Sequence, residues 1–134
     1  MTVDEKQQEI IDEFALFDDW MDKYNYLIEL SKDLPEMDPK NKSEENLIEG
    51  CQSKVWLHAE MDGDKLVFSA DSDAIITKGL VALLIRVLSG RRPEEIKNAN
   101  LFFIDEIGLK ENLSPTRSNG LLAMINKIKA YAMA

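Results

Sequence analysis

The sequence predicts one domain in which several helices pack around a single antiparallel β-hairpin, and three observations predict it. Apolar residues recur at helical spacing towards both ends of the chain. Two alternating segments separated by a turn occupy the middle. A nearly all-apolar helix follows them directly. The chain has 134 residues, 45% of them hydrophobic and 31% charged. That length supports one core burying roughly two-thirds of the unfolded surface. There is no internal repeat and no second domain, so the domain spans residues 1–134.

Each element has its own signal. Thr2 and Glu5 form a capping-box pattern ahead of a first helix, in which Ile10, Phe14 and Phe17 recur at helical spacing with Ile11 beside them. Its acidic residues read as a solvated face. Asp18 and Asp19 mark a break and a new cap. Trp20, Tyr24, Leu27 and Ile28 then trace a second helix that ends before Pro35, with Trp20 and Tyr24 read as core. From Pro35 to Glu49 the chain is polar, a surface loop with a helical turn at Ser43 to Asn46. Val55, Leu57 and Ala59 alternate with polar neighbours, as do Leu66, Phe68 and Ala70. Met61-Asp62-Gly63-Asp64 lies between, which signals a hairpin. Trp56 breaks the alternation, so either other structure covers that face or the tryptophan belongs to a contact surface.

Asp71-Ser72-Asp73 reads as the cap of the next helix. That helix carries Ile75, Ile76, Leu80, Val81, Leu83, Leu84, Ile85, Val87 and Leu88 and is expected at the centre of the core. Gly79 inside it costs about 1 kcal/mol relative to alanine, which suggests another backbone packs close. Pro93-Glu94-Glu95 starts a short helix. Leu101 to Leu109 fits strand or helix equally. Ser114-Pro115 opens the last helix, with Leu121, Leu122, Ile125, Ile128 and Tyr131 as its inner face.

Composition narrows the function. The formal net charge is −9, which argues against nucleic acid, since phosphate binding needs a clustered basic surface. It fits docking to a basic patch on another protein. The most apolar stretch, Ala74 to Leu88, is shorter than the ~20 residues that span a bilayer and contains Lys78 and Arg86. The N-terminal residues do not read as a secretory signal. With a single unpaired cysteine, this favours a reducing, cytoplasmic setting. The six glycines make no phosphate-binding loop.

Cys51 is the only cysteine. It lies between a polar loop ending at Gly50 and the first alternating segment, and Gly50 can adopt backbone angles that present its neighbour on a tight turn. One cysteine cannot form an internal disulfide, and with one histidine it cannot supply a zinc or iron–sulfur ligand set; carboxylates alone could bind a metal, but no spacing suggests it, so no metal site is expected. The residues alone leave a buried structural thiol and a reactive one both open. A reactive thiol needs a cation or hydrogen-bond donors to raise its thiolate fraction, and Arg117 is a candidate cation. His58 would be the base of a thiol hydrolase or peroxidase, but it lies seven residues on in the same predicted strand. A third reading is an interaction module with an incidental cysteine.

Gly50-Cys51-Gln52-Ser53 followed by Val55-Trp56 resembles the active-site signature of the SufE family, sulfur acceptors of the SUF iron–sulfur assembly system. Three further blocks agree: Trp20 to Leu30 with Leu34-Pro35, Asp71 to Leu80, and Leu113 to Leu121. They stand in family order and span nearly the whole chain, and CsdE-type acceptors share them. The resemblance implies an α+β fold, a small antiparallel sheet packed by helices, similar to the scaffold IscU. It implies that Cys51 takes a persulfide sulfur from a SufS-like cysteine desulfurase, a pyridoxal-phosphate enzyme, and stimulates it. Cys51 would then pass the sulfur to a SufBCD-like scaffold. The chain would be a carrier without cofactor or independent turnover, monomeric or weakly dimeric. Arg117 matches an arginine near the cysteine loop, assigned to loop positioning or anion stabilisation. Gly50, Gln52, Ser53, Ser72 and Asp73 match the loop and its surroundings. Asn100 to Leu109 matches the family only loosely.

Overall fold

The hairpin is the only sheet. The computed structural model describes residues 1–134. Its elements are α1 (Val3–Phe14), α2 (Trp20–Ser31), β1 (Val55–Asp62), β2 (Lys65–Ser72), α3 (Ile75–Leu88), α4 (Pro93–Asn98), α5 (Phe103–Glu106), α6 (Leu109–Asn112) and α7 (Pro115–Met133). Strands β1 and β2 pair from Val55 opposite Ser72 to Asp62 opposite Lys65. The two-residue turn places Gly63 at φ 65°, the first central position of a II′ turn, where glycine fits. Val55, Leu57, Leu66, Phe68 and Ala70 point inward and are buried, as their alternation predicts.

Helix α3 is the hub. It packs on α2, β2, α1 and α7. The expectation at Gly79 holds: a Cβ there would stand 2.4 Å from the carbonyl oxygen of Leu27. Only glycine lets α2 and α3 approach this closely, which brings Tyr24 and the start of α3 to the same side of the molecule. The capping box at Thr2 and Glu5 forms, and Asp19 caps α2 by accepting from the Asp22 N–H. The polar loop contains two short 3-10 turns, Pro39–Asn41 and Glu44–Asn46. It covers Trp56, with Leu47 bridging to that residue and the Lys42 ammonium 5.8 Å from its ring centroid.

Several expectations need correction. Asp71 and Ser72 do not cap α3: they belong to β2, and the N-cap is Ala74, whose side chain accepts nothing. Asp73 instead accepts from the Lys54 N–H across the loop, because the antiparallel register brings Lys54 beside it. Leu101 to Leu109 forms neither a strand nor one helix but a turn and the short helices α5 and the start of α6. The side chain of Gln7 holds this segment. It is fully buried, donates to Asn100 O at 2.9 Å and accepts from the Phe103 N–H at 3.1 Å. The acidic face of α1 is not wholly solvated, since Glu9 and Glu13 both bind Arg86 of α3, and the Tyr26 hydroxyl donates to Glu13. Burial and then Glu13 push the Tyr26 hydroxyl up to about 12. On α7, Leu122 is 56% exposed, while Gly120 and Met124 face inward.

Candidate functional site

Cys51 sits where the loop turns into β1. Gly50 has φ 93°, a left-handed conformation that other residues adopt at a cost. Gly50 through Ser53 make no backbone-to-backbone hydrogen bond, so little but side chains holds this stretch. Its far end is pinned. Ser72 Oγ donates to Lys54 O at 2.8 Å, the Lys54 N–H donates to Asp73 Oδ1 at 3.0 Å, and the Asp73 N–H donates back to Lys54 O at 3.2 Å. The two resemblance-derived residues Ser72 and Asp73 therefore clamp the end of the cysteine loop.

Asp71 backs this clamp. Its carboxylate accepts from the Ser72 N–H at 2.8 Å and meets Lys42 at 2.6 Å and Lys78 at 3.3 Å. Burial alone would push its carboxyl up. Lys42, the Ser72 N–H and Lys78 together outweigh it and hold the group below the usual carboxylate range. Sequence reasoning took Asp71 for a helix cap and missed its role as the anchor between two lysines.

The thiol itself is half-buried and donates to Gly120 O at 3.6 Å. Burial pushes the Cys51 thiol up, because a thiolate there would lose hydration. Burial thus favours the protonated thiol, and the sulfur is turned inward onto Gly120 O. It borders a cavity of about 280 Å³ lined also by Tyr24, Gln52, Ser53, Ile75, Ile76, Thr77, Leu80, Arg117 and Met124. The structure therefore gathers Cys51, Gln52, Ser53 and Arg117 at one place. Gly50 is the turn before them, while Ser72 and Asp73 act on the loop from behind.

Arg117 does not grip the loop. Ser114 Oγ caps its backbone N–H, and its guanidinium lies 5.9 Å from the Tyr24 ring centroid, a cation–π arrangement. Tyr24, read from sequence as core alone, is part of the site. Thr77 was also missed; its signal is a lone hydroxyl in an otherwise apolar helical run. His58 is not a lining residue, and its Nε2 is 2.8 Å from Glu60 Oε1. The structure therefore does not bring His58 to Cys51.

The fold and the site together define a small α+β protein with one half-buried thiol on a loop that makes no backbone hydrogen bonds. A solution structure of a hypothetical protein from Thermus thermophilus shares this fold, with a TM-score of 0.78 at 24% identity, covering 96% of this chain and 93% of that one. A family model, SufE, the Fe-S metabolism associated domain, matches residues 8–132. The chain belongs to the SufE family, and its role is accordingly in Fe–S metabolism. An uncharacterised SufE-like protein of Rhizobium meliloti is 46% identical over 92% of this chain and 92% of its own length. Another from Rhizobium etli is 45% identical over 92% and 87%. The chloroplastic/mitochondrial SufE-like protein 1 of Arabidopsis thaliana is 41% identical over 96% of this chain, which spans 35% of that longer protein. No helix is long and apolar enough to cross a membrane.

Proposed function

We propose that this protein accepts sulfane sulfur onto Cys51 from the persulfide of a cysteine desulfurase, stimulates that enzyme, and hands the sulfur to an iron–sulfur scaffold. The observation that carries the reading is a lone thiol on a loop without backbone hydrogen bonds, hinged at Gly50 and pinned at Lys54. Such a stretch opens at low cost. Opening restores hydration to the sulfur and lets it ionise. The Cys51 thiolate attacks the outer sulfur of the donor persulfide, a new S–S bond forms, and the donor cysteine leaves as a thiolate. The chain needs no cofactor of its own, and its work is half-reactions with partners rather than independent turnover. Arg117 is the cation at the cavity mouth and stabilises the charged sulfur. A reducing compartment such as the cytoplasm suits a carrier with no second cysteine.

Desulfurase turnover on L-cysteine tests the proposal. Adding this protein should raise the rate, and Cys51→Ser should give no stimulation. Equal stimulation by Cys51→Ser would overturn the carrier mechanism.

A further inference from the structure

The cavity beside Cys51 is far larger than the sulfur atom it would shelter. It measures about 280 Å³, against the roughly 10–15 Å³ that holds one water, and it approaches the lower end of small-molecule sites at about 300 Å³. Its apolar wall is Ile76, Leu80 and Met124.

Two polar side chains that line this space, Thr77 and the exposed Arg117, have no side-chain hydrogen-bond or ion-pair partner in the chain. Thr77 is only 8% exposed and its hydroxyl makes no hydrogen bond. No fully enclosed polar side-chain atom in the molecule lacks a partner, so this hydroxyl is not sealed in, and Thr77 is one of the residues lining the cavity. A hydroxyl so placed gains free energy when a ligand supplies the missing hydrogen bond. The Arg117 guanidinium, on an exposed side chain that lines the cavity, lies over the Tyr24 ring and meets no carboxylate of this chain.

We propose that the cavity binds a small amino-acid-like thiol, with its carboxylate on Arg117, its amino group on Thr77 Oγ1 and its sulfur at Cys51. This inference rests on the persulfide reading of Cys51 and adds a second acceptor class to it. The bound thiolate attacks the outer sulfur of the Cys51 persulfide. A bond forms between the ligand sulfur and the outer sulfur, and the bond between Cys51 Sγ and the outer sulfur breaks. Cys51 leaves as a thiolate and takes a proton from solvent, which its burial favours. Sulfane sulfur moves from one thiol to another, so no external oxidant or reductant enters.

The test loads Cys51 with inorganic polysulfide, verified by intact mass, so that it does not depend on a desulfurase. Discharge is then followed with L-cysteine and with cysteamine, which differ in the carboxylate. The discharge rate should saturate with L-cysteine. Arg117→Gln should lower the cysteine-to-cysteamine preference about tenfold, and Thr77→Val should raise the half-saturating L-cysteine concentration several-fold. A rate that stays linear in L-cysteine, or a preference unchanged by Arg117→Gln, would overturn the proposal. A desulfurase that cannot load Cys51 would instead overturn the carrier reading and leave this test standing.

Discussion

The two ends of α3 are built on opposite principles. At the C-terminal end Arg86 is gripped by Glu9 and Glu13, with Tyr26 completing the set. Every charge there has a partner from another helix. At the N-terminal end Thr77 has an unused hydroxyl, Ile75 is 51% exposed, and the neighbouring loop lacks backbone hydrogen bonds. The difference teaches where the molecule keeps its freedom. One end is cross-linked so that α1, α2 and α3 form a rigid frame. The other leaves the thiol loop and the cavity beside it without such cross-links.

The frame breaks most readily at Gly79, in the second turn of α3. Gly79→Ala drives a Cβ into the Leu27 carbonyl and should cost about 3 kcal/mol, measured by urea unfolding. An unchanged midpoint would show that α2 can retreat freely. Next comes the polar end. Arg86 holds the Glu13 carboxyl below the usual carboxylate range, so its contribution is present above the unfolded-state pKa and is lost as pH falls through the folded one. Arg86→Met should therefore lower the Tm at neutral pH by a few degrees, with the gap to the parent protein narrowing in acid. A gap independent of pH would argue against the ion pairs.

The open end is read through thiol chemistry. Because burial raises the Cys51 pKa, the rate of alkylation by iodoacetamide should rise with pH to a midpoint above that of the urea-unfolded chain. A native midpoint at or below the unfolded one would contradict the inward-turned thiol. The smallest effect is expected from Ser72→Ala, which removes one of three hydrogen bonds on Lys54. It should speed alkylation of Cys51 several-fold while leaving the unfolding free energy within about 1 kcal/mol of the parent's.

Much of this was legible because its causes are local. The hairpin follows from alternation and Gly63, the close approach at Gly79 from a glycine amid apolar residues, and the cysteine loop from Gly50 and its polar neighbours. What stayed hidden depends on residues far apart in the chain. Asp73 looks like a helix cap until the register brings Lys54 beside it. Phe103 has its amide held by Gln7 of α1, so the 100–109 segment is shaped by a partner no local pattern reveals. Arg86 likewise finds Glu9 and Glu13 only through packing. In the site, Cys51 and Arg117 were readable and Thr77 was not. A single hydroxyl among apolar residues is a weak signal, and only its lack of a partner in the folded chain gives it weight.

The most direct measurement is the intact mass of this protein after incubation with a cysteine desulfurase and L-cysteine, without reductant. The account predicts a gain of one sulfur, removed by added thiol and absent in Cys51→Ser. No gain beside a demonstrably active desulfurase, or a gain that persists in Cys51→Ser, would contradict it.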